Sequence, residues 1–209
     1  MGHDEDAKTY WESHYGARER IWSGKVNVQL AAVVGDRPSG RALDLGCGEG
    51  GDAVWLAERG WDVVAVDVSD TALARAAQEA EARGVLDHID FQQHDLSDSF
   101  PAGTYDLVSA QFLHSTVRLE RPAILRKASA AVVLGGMLVI VDHAAPPPNS
   151  TKVPDDHPFP SAAEVLAELN LPAVEWHRER VEVIERDGLA PDGQTFTWRD
   201  NLMVLRRVG

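Results

Sequence analysis

The chain has 209 residues, 44% hydrophobic and 25% charged, which suits one globular domain with a substantial core. Its 33 acidic against 20 basic residues give a formal charge of −13. Such a surface repels phosphate backbones and anionic lipid, so nucleic acid and membrane are disfavoured as partners and a small molecule is expected. The single cysteine, Cys47, excludes an intrachain disulfide. No apolar run reaches the roughly 20 residues of a spanning helix, and MGHDEDAKTY lacks both a signal-peptide core and a myristoylation pattern. A cytoplasmic protein, monomer or homodimer, is expected.

Residues 1–38 read as an N-terminal helical lid, with two helices in 5–35 and the aromatics Tyr10, Trp11, Tyr15 and Trp22. Residues 39–145 hold five short apolar runs, at 41–45, 62–68, 89–92, 105–110 and 137–141. Continuous β-branched runs of this kind suit strands buried on both faces of a parallel sheet. Helical segments are expected at 51–59, 70–83 and 121–133; the second has Ser69 or Asp70 as N-cap and Gly84 as its stop. The connection 95–104, with Pro101 and Gly103, is too short to carry much helix. Residues 146–209 begin with a loop, 146–160, holding six of the eleven prolines. A helix SAAEVLAEL follows, then two alternating stretches, 173–186 and 195–208, that read as an antiparallel hairpin. Strand alternating with helix is the pattern of an open α/β sheet in a single domain.

The first strand runs into RALDLGCGEGGDAVWLA, which admits two readings. From Gly46 it matches the dinucleotide pattern G-x-G-x-x-G, the mark of an NAD-dependent oxidoreductase. From Asp44 it is an acid followed by glycines at 46, 48 and 50. Both put a Cβ-free turn before a helix N-terminus, where a ligand can approach the backbone. Asp44 separates them, because a carboxylate repels a pyrophosphate but pairs with an ammonium group. A cofactor with an amino acid end, a ribose and no phosphate is S-adenosylmethionine. Gly51, needed only by the dinucleotide pattern, then becomes a small first-turn residue. Asp67, ending the second strand, suits a ribose diol in either reading. Asp95 suits either the adenine amino group or a simple turn.

This constellation resembles the class I S-adenosylmethionine-dependent methyltransferases through Asp44, Gly46, Gly48 and Gly50 in DLGCGEG, Asp67 after strand two and Asp95 after strand three. The resemblance covers roughly 40–145. It implies a Rossmann-like seven-stranded sheet of order 3-2-1-4-5-7-6, with strand 7 antiparallel and helices on both faces. It also implies a cofactor site at Asp44, Gly46, Cys47, Gly48, Gly50, Asp67, Val68, Asp95, Leu96, Gln111 and Trp22. The front segment YWESHYGARERIWSGKVN is more loosely similar to thiopurine and tellurite-resistance methyltransferases, in which a Trp-bearing helix covers the cofactor.

The acceptor of such a sheet sits beyond the C-terminal ends of the central strands. His114 follows strand four and His143 follows strand five. A hydroxyl acceptor, such as a sugar or related metabolite, needs a base; a thiol, thiopurine or chalcogen-oxyanion acceptor needs less help. His114 reads first as a wall of the transfer pocket. His143 is the better base, with Asp142 or another carboxylate raising its basicity, although a structural histidine opening a proline-rich loop fits equally. Asp142 alternatively helps hold a divalent ion such as magnesium, for which one carboxylate is a thin basis; no metal ligand is assigned. SAQFLH replaces the Asn/Asp-Pro-Pro-aromatic motif of exocyclic-amine methyltransferases. His157 and Phe159 are expected at the acceptor entrance, and a cofactor-binding protein without catalysis stays open.

Overall fold

The computed structural model describes residues 6–146, 159–189 and 195–209. Seven strands form one sheet: β1 (Arg41–Leu45), β2 (Asp62–Asp67), β3 (Ile89–Gln93), β4 (Tyr105–Gln111), β5 (Val132–His143), β6 (Trp176–Leu189) and β7 (Thr195–Arg207). Their order is β3-β2-β1-β4-β5-β7-β6. Parallel pairing links β3 through β5, and β7 runs antiparallel to both neighbours. The order and orientation expected from the family resemblance are those observed.

Burial of both sheet faces explains the apolar strands. Along β1, Ala42 belongs to one core cluster and Leu43 to the other, as the two-residue strand period requires. One face packs α2 (Val28–Val34), α3 (Gly51–Ala57) and α4 (Asp70–Ala82) through Leu30, Val54, Leu56 and Leu73. The other packs α5 (Arg121–Ala130) and α6 (Ala162–Leu169) through Ile124, Leu125, Val165 and Leu166. The remaining helix, α1 (Ala7–Gly16), lies against α4. Ser69 caps α4 as expected, accepting from the Ala72 N–H, and 95–104 carries no helix.

Several boundaries differ from the sequence expectation. The third core helix stops at Ala130, and β5 starts at Val132 instead of 137. Val132 pairs with Tyr105 before an irregularity in the β4–β5 ladder, so sheet pairing outcompetes helix at these β-branched residues. The hairpin's first strand starts at Trp176, because the Pro172 carbonyl accepts from both the Glu175 and Trp176 N–H groups and turns the chain there. Trp22 lies between α1 and α2, outside any helix. Residues 147–158, including His157, and residues 190–194 lie outside the described residues.

Ser161 and Glu164 form a reciprocal capping box on α6, whose Val165, Leu166 and Leu169 are buried. Ser161→Ala removes a side-chain acceptor from that helix start. It is expected to cost about 1 kcal/mol of unfolding free energy, measured by urea denaturation.

Candidate functional site

The sheet order reverses between β1 and β4, and ligands of open α/β sheets bind at such a switch point. Asp44 lies in register with Ala65 of β2 and Ser109 of β4, so its side chain shares a face with Ser109 and, two residues on, Gln111. Asp44 is 2% exposed. Among the described residues its Oδ2 and the Gln111 Oε1 are buried without a hydrogen-bond partner. Two orphaned acceptors on one face at a strand end are costly unless a donor-bearing ligand meets them. An ammonium group is such a ligand; a pyrophosphate is not.

The loop after β1 is anchored at both ends. The Gly46 and Cys47 N–H groups donate to the Val66 carbonyl, and the Gly48 N–H donates to Asp67 Oδ2 at 2.9 Å. Gly46, Gly48 and Gly50 all have positive φ. At Gly48 a Cβ would also lie 3.0 Å from the Tyr15 hydroxyl and 3.3 Å from the Trp22 indole, so glycine is required for fit as well as conformation. Gly51 is explained differently. A Cβ there would meet the Lys25 carbonyl oxygen at 2.8 Å, so its small size admits the front segment rather than a pyrophosphate.

That front segment is clamped to the loop through Glu49, a buried carboxylate. Glu49 accepts from the Ile21 and Trp22 N–H groups and pairs with Arg75 at 2.8 Å. Arg75 also donates to the Tyr15 and Arg18 carbonyls, and the Trp22 indole donates to the Tyr15 hydroxyl. On the far side of the segment, Asp52 of α3 accepts from the Asn27 N–H. These contacts hold Trp22 over the glycine loop.

Burial, reinforced by the charges of Asp52 and Asp67, pushes the Asp44 carboxyl well above the ordinary carboxylate range. Burial takes Asp52 to about 6 against the Asn27 N–H. Asp67 is raised by burial too, opposed by the Ser69 and Gly48 N–H groups. Asp52 and Asp67 thus lie near enough to Asp44 to disfavour its ionised form, and a cationic group meeting Asp44 would favour it.

Beyond β4 and β5 two histidines form parallel networks. Their rings lie 6.1 Å apart at 12°. His114 Nε2 is 3.5 Å from Asp142 Oδ1, long for a hydrogen bond but within ion-pair reach, and Asp142 Oδ2 accepts from Arg121. His143 Nδ1 is 3.0 Å from Asp200 Oδ1, and Asp200 Oδ2 accepts from Arg186 Nε. The carboxylates respond oppositely. Burial prevails at Asp142, raising it despite Arg121. At Asp200 burial also acts upward, but His143 and Arg186 engage both oxygens and hold it below its ordinary value. Phe112 and Trp198 stack on His143, with centroids at 4.4 and 5.0 Å. Phe112 has φ +50, an uncommon conformation for a bulky residue and the kind of strain that concentrates at functional sites.

The structure thus brings Asp44, Gly46, Cys47, Gly48, Gly50, Asp67, Gln111 and Trp22 around one loop and switch point. Leu96 is buried in the core, leaving only its backbone for a ligand. Val68 offers its carbonyl to Gln93. Asp95 Oδ1 accepts from the Ser97 N–H, the turn role that the sequence left open. The carboxylate beside His143 Nδ1 is Asp200 rather than Asp142, which Arg121 engages. Among the described residues no group of three His, Cys, Asp or Glu is placed to hold a metal ion. Sequence reasoning missed Glu49, Arg75, Phe112, Arg121, Arg186, Trp198 and Asp200. Only for Asp200 did a usable signal exist, since pairing the hairpin with strand five sets it opposite His143.

Residues 42–136 match a family profile described as a methyltransferase domain. Ribosomal RNA small subunit methyltransferase C of Chromohalobacter salexigens is 36% identical over 119 residues, 55% of this chain and 35% of that protein. Probable thiol methyltransferase 2 of Arabidopsis thaliana is 33% identical over 107 residues, 50% of this chain and 47% of that protein. The 2-heptyl-1-hydroxyquinolin-4(1H)-one methyltransferase of Mycobacteroides abscessus is 33% identical over 137 residues, 62% of this chain and 56% of that protein. The chain therefore spans about a third to just over half of the length of these relatives. In fold it is similar to magnesium protoporphyrin IX methyltransferase of Synechocystis PCC 6803 with bound S-adenosylhomocysteine. That match has a TM-score of 0.67 and 19% identity, covering 95% of this chain and 96% of the other.

The raised carboxylates make ligand binding pH-dependent. A bound ammonium favours their ionised forms, so protons are released on binding where the free protein still holds them. Affinity for S-adenosylhomocysteine is expected to fall as pH drops and the Asp44 carboxyl, raised by burial, takes up its proton, with proton release visible by calorimetry in buffers of different ionisation enthalpy. Asp44→Ala is expected to weaken binding at neutral pH by ~2–5 kcal/mol, at least ~30-fold. Unchanged affinity would rule out ammonium pairing at Asp44.

Proposed function

We propose that this chain, a member of the class I S-adenosylmethionine-dependent methyltransferases, transfers a methyl group to a hydroxyl of a small molecule, a sugar or related metabolite, with His143 as base. In this reading the chain is a single domain, with an N-terminal helical lid within 1–38, a cofactor-binding core over 39–145, and a final part that contributes α6 and the β6–β7 hairpin. Asp44 pairs with the ammonium of S-adenosylmethionine, Asp67 accepts from its ribose hydroxyls, and the loop glycines admit its amino acid end. Asp95 and the Leu96 backbone border its adenine, and Trp22 covers it.

Bound S-adenosylmethionine supplies an electrophilic methyl group on a sulfonium. What remains for the protein is alignment, exclusion of water and removal of the acceptor's proton. Alignment of well-oriented partners contributes up to ~7–11 kcal/mol, and a positioned base typically adds ~10²–10⁴-fold. The single observation that carries the hydroxyl reading is His143 Nδ1 at 3.0 Å from the buried Asp200, an arrangement that orients the ring. His114 then serves as a wall of the pocket, held by Asp142. The formal charge of −13 supports a small-molecule acceptor over nucleic acid. Among the described residues no helix is long and apolar enough to cross a membrane, and a cytoplasmic monomer or homodimer belongs to the same proposal.

A thiol or chalcogen-oxyanion acceptor is the second reading, favoured by the similarity to a probable thiol methyltransferase. A panel of alcohols, sugars and thiols separates the two. For a hydroxyl acceptor, His143→Ala is expected to lower kcat/KM by ~10²–10⁴-fold while leaving S-adenosylhomocysteine affinity within a few-fold. Normal hydroxyl turnover by that variant would remove the base, and turnover of thiols alone would favour the second reading.

A further inference from the structure

His143 and Asp200 face each other across the β5–β7 ladder, in register. Asp200 is 1% exposed, and its two oxygens are divided between His143 Nδ1 and Arg186 Nε. The Arg186 guanidinium also lies over the Trp198 ring, 4.9 Å from its centroid, and Trp198 itself stacks on His143. Phe112 adds a second ring against the imidazole. These stacks oppose a flip of the ring that would exchange its two nitrogens. The other charged groups near His143 are committed elsewhere: Asp142 engages Arg121 and faces His114.

We infer that Asp200 is the positioning residue for His143, fixing its proton on Nδ1 and leaving the Nε2 lone pair as the atom that takes the acceptor's proton. The inference rests on the reading of His143 as base. An ionised carboxylate only accepts hydrogen bonds, so contact with Asp200 requires Nδ1 to be the donor. Arg186 satisfies the second oxygen and keeps the carboxylate ionised. In the reaction the acceptor's O–H bond breaks, an Nε2–H bond forms, and the resulting imidazolium, stabilised by Asp200, returns its proton to water. A thiolate acceptor needs none of this, so Asp200 also bears on which acceptors are used.

Long-range proton–nitrogen NMR on the full chain at alkaline pH, without ligand, reads the tautomer directly. In the unaltered protein the His143 proton is expected on Nδ1. In Asp200→Asn the amide has one acceptor oxygen, which Arg186 claims, so its NH₂ faces Nδ1 and drives the proton to Nε2. Removing one partner of a buried ion pair can impair folding. The double variant Asp200→Leu/Arg186→Leu removes both charges together and is expected to lose the Nδ1 proton as well. A proton on Nε2 in the unaltered protein, or an unmoved tautomer in a folded variant, overturns the inference. An unmoved tautomer leaves the base reading standing, whereas undiminished hydroxyl methylation by His143→Ala sinks that reading without touching the tautomer.

Discussion

A carboxylate buried at the end of a central strand is the constraint around which this molecule is arranged. Asp44 is almost fully enclosed and, among the described residues, one of its oxygens has no hydrogen-bond partner. An isolated buried charge of that kind is unfavourable to folding, and Asp52 and Asp67 worsen it. The surrounding structure tolerates the arrangement because the rest of β1 is apolar and packs into both cores. Stability is stored in the strands and helices, and the unfavourable electrostatics are concentrated at the end of β1.

The glycine loop and the front segment follow from that constraint. Positive φ at three alternate glycines turns the chain tightly enough for Asp67 to accept from the Gly48 N–H. The space left by the absent side chain is taken at Gly48 by Tyr15 and Trp22, and at Gly51 by the Lys25 backbone. Glu49 and Arg75 hold this cover through four backbone groups of residues 15–22 and one another. Cover and cradle are thus a single hydrogen-bonded unit, not a helix resting on a loop.

The other half of the site depends on the antiparallel insertion of β7 between β5 and β6. Antiparallel register sets Asp200 opposite His143 and Asn201 opposite Asp142. From the neighbouring β6, Arg186 reaches the same carboxylate. The side chains that tune the histidine therefore come from a part of the chain more than 40 residues away. A one-residue slip in that register would turn Asp200 to the other face of the sheet.

Much of this was legible beforehand, because strand runs, helix caps and a glycine loop are local features. Val63 to Val66 could be read as a buried strand, Ser69 as a cap and Asp44 as the discriminating acid without any partner in view. The misreadings arose where local preference competed with pairing: Val132 and Val133 continued a helical pattern but joined the sheet, and Pro172 shortened the start of β6. Asp44 and the loop glycines lie on one strand–loop–helix unit, so they are near one another in sequence. By itself, then, the sequence determined the fold class, the strand order through a family resemblance, and Asp44 with the glycines of the loop after β1. Only the tertiary structure decided that Asp200 accompanies His143, that Arg121 takes Asp142, and that Glu49 clamps the front segment. The physical reason is that these are long-range pairings, set by ladder register and the approach of separate elements, and no local spacing encodes them.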